Sequence, residues 1–234
     1  MATPVKTSAL VKKIIKHTDS VYSFLLEPLS RVPKFRSGQF LHFAIDAYQP
    51  DKEWPSSRVF SIASSPANRT EISITVSLCG EFTKRMLNLN EGDTVWLKLP
   101  YGEFTFDNAA EPLVLIAGGT GITPFISFLD DCVQTNPSKP VKLYYGIRSH
   151  EFLIFDDLLD NYMAKLNNFQ LVLFCEQAMD KPHRQKQLDI AEIAAENPKT
   201  ATYFLSGPPA MVANFKQYLS ESGIEPTHIR IDEW

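Results

Sequence analysis

Three cysteines in 234 residues, at positions 79, 132 and 175, lie too far apart to offer the close sulfur spacing of a zinc site or an iron–sulfur cluster. Five histidines, His17, His42, His150, His183 and His228, are scattered without a metal-ligand spacing, so no metal is expected. There is no long basic run, and the net charge is −4, which argues against nucleic acid as a main partner. No apolar run approaches the roughly 18 residues that cross a bilayer, so no membrane insertion is expected. The opening Met1-Ala2-Thr3-Pro4-Val5-Lys6 lacks the charged start, apolar stretch and cleavage site of a secretory signal, and a cytoplasmic location is the expectation. With 44% hydrophobic and 21% charged residues the chain has the composition of a folded globular protein. No internal repeat or low-complexity segment is visible.

What is present divides by period. Up to about Asp107 the pattern is alternation, broken by Gly, Pro, Asn and Asp. Six strands are predicted, at 8–16, 21–27, 39–45, 58–63, 71–78 and 94–99. Ile72, Ile74 and Val76 share one face of the fifth, and Val95, Leu97 and Leu99 repeat that spacing in the sixth. Six short strands with turn signals between them predict a closed antiparallel β-barrel, which removes exposed sheet edges. After a polar link the period changes. Leu113-Val114-Leu115-Ile116-Ala117 reads as a strand buried on both faces, and a helical pattern follows from Thr123. The alternation recurs with strands at 141–145, 171–174 and 202–205 and helical stretches at 152–166, 188–195 and 211–219. That predicts a parallel α/β sheet, whose ligands bind beyond the carboxyl ends of its strands. The expected organisation is a barrel domain over 1–107 followed by a nucleotide-binding domain over 112–234.

Three segments stand where chemistry is expected. Gly118-Gly119-Thr120-Gly121-Ile122-Thr123-Pro124 follows the first buried strand and precedes its helix, with Thr123 expected as N-cap. Glycines there let a pyrophosphate approach the backbone, and the helix start favours its charge. The same residues also read as a tight turn. Arg58-Val59-Phe60-Ser61-Ile62-Ala63-Ser64 lies on and after a barrel strand, where alternation puts Arg58 and Phe60 on one face: a guanidinium able to fork onto phosphate beside a flat ring. An ordinary strand with a surface arginine reads equally from these residues alone. Gly80-Glu81-Phe82-Thr83 precedes a short helical stretch, 84–87, as either an anion site or a plain turn.

Taken together, in this order and with Ser206-Gly207-Pro208-Pro209-Ala210-Met211 near the C-terminus, these segments resemble the ferredoxin–NADP reductase superfamily. Arg58 to Ser64 matches that family's R-x-[YF]-S-x-x-S, Gly80 to Thr83 its G-x-x-[ST], and Gly119 to Pro124 a G-x-G-x-x-P nicotinamide loop. The resemblance implies a FAD-binding barrel, with Arg58 and the segment Gly80, Phe82, Thr83 at the pyrophosphate. Phe60 would lie against the isoalloxazine, Ser61 near flavin N5, and Ser64 would complete the motif. It implies an NAD(P) domain in which Gly119, Thr120, Gly121, Gly207, Pro208 and Met211 surround the dinucleotide. Ser206 stands where the family usually has cysteine, near the nicotinamide, and slower hydride transfer is expected from it. Asp232-Glu233-Trp234 looks like the family's acidic-x-aromatic ending, which would bring Asp232 near N5 and Trp234 onto the flavin.

The expected function is that of an NAD(P)H-dependent reductase which carries bound FAD and passes electrons to a partner such as a ferredoxin, a flavodoxin or an oxygenase component. Two alternatives stay open: a free-flavin reductase, and a non-catalytic nucleotide sensor or electron-transfer subunit. NADH is the expected donor. Glu176 stands at the end of the third parallel strand, where an acid accepts from a ribose 2′-hydroxyl and repels a 2′-phosphate, although Arg148, His183 and Arg184 lie near enough in sequence to compensate.

Overall fold

A computed structural model describes residues 3–135 and 139–232. The chain divides into two compact units, Met1–Thr105 with Thr123–Asp131, and Phe106–Ile122 with Cys132–Trp234. Set beside the expected domains 1–107 and 112–234, Phe106 and Asp107 group with the second unit and residues 123–131 with the first.

In the first unit six strands, β1 (Val5–Lys16), β2 (Val21–Pro28), β3 (Phe40–Ala44), β4 (Ser57–Ser61), β5 (Ile72–Ser77) and β6 (Thr94–Tyr101), form one sheet in the order β4-β3-β6-β1-β2-β5. Every pairing is antiparallel. The sheet curls into a nearly closed barrel, and between its end strands Ala63 N–H, just past β4, donates to the carbonyl of Ser73 in β5 at 2.8 Å. Alternation sends Val95, Leu97, Leu99, Ile72, Ile74 and Val76 inward, all 0–1% exposed. Each such side chain contributes about 1.5–3 kcal/mol by leaving water, so the core they share with Phe24, Leu26 and Phe43 fixes the register.

In the second unit β7 (Leu113–Gly118), β8 (Val141–Ile147), β9 (Phe169–Cys175), β10 (Thr202–Ser206) and β11 (Ile229–Ile231) form a parallel sheet in the order β11-β10-β7-β8-β9. β7 is buried along its whole length, as its unbroken apolar run requires. From β7 the chain moves outward one way to β8 and β9, then returns to build β10 and β11 on the other side. The strand order therefore reverses between β7 and β10, the switch point at whose carboxyl ends a doubly wound sheet binds its ligands.

Several local expectations are corrected. The helix expected at 84–87 is α1 (Glu81–Met86), so Gly80–Thr83 contains its first turn rather than preceding it. Gly119–Ile122 winds as a 3₁₀ turn that runs straight into α2 (Thr123–Thr135), which leaves Thr123 inside the helix and not at its cap. The helix expected from Phe152 starts later, as α3 (Asp156–Lys165). α4 (Ile190–Ala195) starts after Asp189, whose side chain caps Ala191 N–H at 3.1 Å and Glu192 N–H at 3.2 Å. α5 (Pro209–Glu221) follows β10. Strand β11 was not expected, because three residues are too few to show a period. Among the described residues no helix is long and apolar enough to cross a membrane, and no group of three His, Cys, Asp or Glu residues could hold a metal.

Candidate functional site

On the barrel, β4 carries Arg58 and Phe60 opposite Phe43 and Leu41 of β3, whose side chains enter the core. Phe60 accordingly leans inward, its ring edge-on to Phe43 at 6.1 Å. Arg58 stays exposed, with one guanidinium N–H on the Ser57 carbonyl at 2.9 Å and its charged centre 5.2 Å from the Phe82 ring. That cation–π contact joins two segments 24 positions apart, which sequence could link only through resemblance. Ser61 ends β4 buried, and among the described residues its hydroxyl makes no hydrogen bond. Ser64 is otherwise engaged: its hydroxyl accepts the Ser73 N–H at 3.2 Å and so anchors β5.

The turn into α1 is organised by Thr83. Its hydroxyl accepts the Cys79 and Gly80 N–H groups at 3.0 and 3.1 Å and donates to the Gly80 carbonyl at 3.0 Å. The threonine therefore shapes the turn, and its hydroxyl is spent on doing so. Gly80 itself has extended backbone at φ −168°, which any residue adopts, and a Cβ there would meet nothing within 4 Å. The fold alone gives no reason for glycine at this position. The Arg58 guanidinium beside the Phe82 ring has the chemistry to receive a phosphate next to a flat ring.

On the second unit the glycines divide by role. Gly119, at φ +54°, has open space around its Cβ position, whereas a Cβ on Gly121 would lie 2.4 Å from the Ser206 carbonyl oxygen and 2.5 Å from Gly207 backbone. Gly121 is thus required so that the turn after β7 can press against the end of β10. A Cβ on Gly118 would lie 2.9 Å from Met211 Sδ and from Pro208 Cδ, and one on Gly207 2.7 Å from Met211 Cε. Gly121, Gly207, Pro208 and Met211 are therefore packed together at the carboxyl ends of β7 and β10, and Gly119 lies exposed beside them.

Ser206 closes β10 and is 2% exposed; its hydroxyl donates to the Asp232 carboxylate at 2.9 Å, and Asp232 N–H in turn bonds the Leu205 carbonyl at 2.9 Å. These residues, 26 apart, carried no sequence signal of their pairing. Asp232 is 9% exposed just past β11, so the strand that sequence missed is what delivers it. Trp234 lies outside the described residues. Arg148 and Glu176 follow directly on β8 and β9, side by side because Ile147 pairs with Cys175. Both are exposed, and among the described residues neither side chain forms an ion pair. Arg184 does not stand free beside them: its guanidinium is bound to Glu192 at 2.5 Å and Glu196 at 2.7 Å. The His183 ring bonds the Lys181 carbonyl at 2.8 Å.

Residues 115–217 match the family model described as an oxidoreductase NAD-binding domain. Over 145 residues, 61% of this chain, the sequence is 31% identical to the toluate 1,2-dioxygenase electron transfer component of Pseudomonas putida, covering 43% of that protein. The chain spans roughly half the length of the curated relatives it matches first. Two solved structures share its fold: a cytochrome P450 reductase of Amycolatopsis, with TM-score 0.85 and 22% identity over 98% of this chain and 70% of that one, and a ferredoxin NADP+ reductase of Neisseria gonorrhoeae with bound FAD and NADP, with TM-score 0.77 and 21% identity over 99% and 98%.

Proposed function

We propose that this chain is a member of the ferredoxin–NADP reductase superfamily, a flavoprotein reductase that takes a hydride from a nicotinamide dinucleotide and passes electrons to a partner protein, such as an oxygenase component or a ferredoxin. The observation that carries the reading is on the barrel, where Arg58 lies against Phe82 beside a glycine that the fold itself does not need. When bound there, FAD supplies the redox chemistry. Arg58 binds its pyrophosphate through charge-assisted hydrogen bonds, with the turn that Thr83 shapes, and Ser61 offers an unpaired hydroxyl to the flavin ring. On the second unit Gly119 and Thr120 receive the dinucleotide phosphates, and the packed Gly121, Gly207, Pro208 and Met211 set how deep it lies. The Ser206 hydroxyl is oriented by Asp232 toward one fixed hydrogen-bonding geometry, which is the part this pair plays in positioning the nicotinamide.

Glu176 makes NADH the preferred donor, since a 2′-phosphate would meet its carboxylate. None of the three cysteines is joined in a disulfide among the described residues. The absorption spectrum of the purified protein tests the function. Yellow protein that bleaches on NADH addition is the expected result. Colourless protein that oxidises NADH only with added flavin would make flavin a substrate instead, and protein that NADH leaves unchanged with or without flavin would remove the catalytic reading altogether.

A further inference from the structure

The fold carries an arginine to the end of β9 and then ties it down. Arg184 donates its N–H to the Leu173 carbonyl at 2.8 Å and accepts the Cys175 N–H at 3.0 Å, so that it pairs in parallel with Phe174 along the edge of the sheet. In register it stands only two residues short of Glu176, at the carboxyl end where a doubly wound sheet holds the adenosine ribose. A guanidinium there is well suited to a 2′-phosphate. Instead it lies over the Phe174 ring, 5.2 Å from the centroid, and forks between Glu192 and Glu196 at 2.5 and 2.7 Å. Those carboxylates are themselves held. Glu196 accepts from Lys142 at 3.0 Å and from the Tyr144 hydroxyl at 2.9 Å, and Lys186 bridges Glu192 and Asp189. Arg184, Lys142 and Lys186 against Glu192, Glu196 and Asp189 make a closed network without net charge. Its members are 24–44% exposed, so it is partly screened, but both terminal nitrogens of the guanidinium are engaged by carboxylates and its charge is balanced within the network.

Resting on the nicotinamide reading of this unit, we infer that Glu192 and Glu196 are positioning residues for cofactor choice: by holding Arg184 they withhold from a 2′-phosphate the guanidinium that the fold delivers to the end of β9. Preference for a free 2′-hydroxyl is then set by two carboxylates, one in α4 and one just after it, as well as by Glu176.

Calorimetric titration of the whole protein with adenosine 2′,5′-bisphosphate and with adenosine 5′-monophosphate separates this from the reductase chemistry. In Glu192→Gln with Glu196→Gln the bisphosphate should bind about tenfold more tightly, ~1.4 kcal/mol, while the monophosphate changes by less than about twofold. Adding Arg184→Gln to that pair should abolish the gain. Arg184→Gln alone should leave both affinities within about twofold of wild type, and this single variant carries the test if the double variant does not fold. Unchanged bisphosphate binding in a double variant that still binds the monophosphate overturns the inference. So does several-fold weaker bisphosphate binding in Arg184→Gln alone, because Arg184 would then already be serving the ligand. A wild-type protein that binds neither nucleotide overturns the nicotinamide reading, and this inference with it.

Discussion

At the scale of single residues the two candidate sites respond to substitution in different ways. Arg58 is exposed, and among the described residues it makes one hydrogen bond to its neighbour's carbonyl and one ring contact, so Arg58→Ala should fold with a melting temperature close to wild type. It should nevertheless lose most of its FAD during gel filtration, read as the ratio of flavin to protein absorbance. Full retention would remove Arg58 from the pyrophosphate site. Ser206 is the opposite case. Ser206→Ala removes a buried hydrogen bond to the Asp232 carboxylate, and a hydrogen bond to a charged group contributes about 1.5–3 kcal/mol. Urea titration should show that loss together with slower NADH-dependent flavin bleaching, whereas Ser206→Cys should preserve most of the stability. For Glu176, which is exposed with no ion pair among the described residues, Glu176→Arg should narrow the ratio of kcat/KM for NADH over NADPH by about tenfold with little change in melting temperature.

At the scale of elements, the glycines show why one residue type in one motif serves two ends. Gly80 and Gly121 both lie at turns leading into helices, and sequence gave them the same part. Their surroundings differ: nothing stands near the Cβ position of Gly80, while backbone atoms stand 2.4 and 2.5 Å from that of Gly121. Gly121→Ala should therefore force β10 and the turn after β7 apart and cost about 1–3 kcal/mol by thermal or urea unfolding of the cofactor-free protein. Gly80→Ala should leave that stability nearly unchanged and weaken FAD binding alone. Equal loss of stability in both variants would show that the open space at Gly80 has no connection to a ligand. Most strands were legible because a period of two over five or more residues leaves a clear trace, and β7 because a fully buried strand cannot alternate. Helix starts were read less well. Asp189 ends one extended stretch and caps α4 by its side chain, a choice made by hydrogen bonds rather than by hydrophobic spacing.

At the scale of the whole molecule, acid should be the weak direction. Burial lowers the pKa of His17, whose ring nitrogen bonds Ser23 at 2.7 Å, so the folded chain takes up its proton at lower pH than the unfolded chain does. In the second unit, burial pushes Glu196 up but the bonds from Lys142, Tyr144 and Arg184 outweigh it, and the carboxyl is held below its usual range. Asp189 is lowered by the Glu192 N–H and by Lys186. In all three cases the unfolded chain binds more protons, so stability present at neutral pH is lost as pH falls. The His17 share goes below its ordinary value of 6.5, and the carboxylate share at lower pH, through the folded values of Glu196 and Asp189. The urea midpoint should hold steady above neutrality and fall in these two stages, with Glu196→Gln flattening the lower one. A midpoint independent of pH down to the carboxylate range would contradict the assignment.

By itself the sequence determined the two periods, the six barrel strands, the parallel α/β half and the segments on which a dinucleotide could lie. Those features are local: alternation, unbroken apolar runs and turn residues act over ten positions or fewer, and each leaves its mark on the stretch that forms it. The tertiary structure alone decided what distant residues do to one another. It brought Arg58 to Phe82, set Ser206 on Asp232 by adding a strand too short to foresee, and pressed Gly121 against Gly207. It also turned Arg184, which the sequence left free to meet a phosphate, into the partner of two glutamates. Such pairings follow from the order in which strands enter a sheet and from the close packing of loops at its edge, and neither is written in the spacing of any one segment.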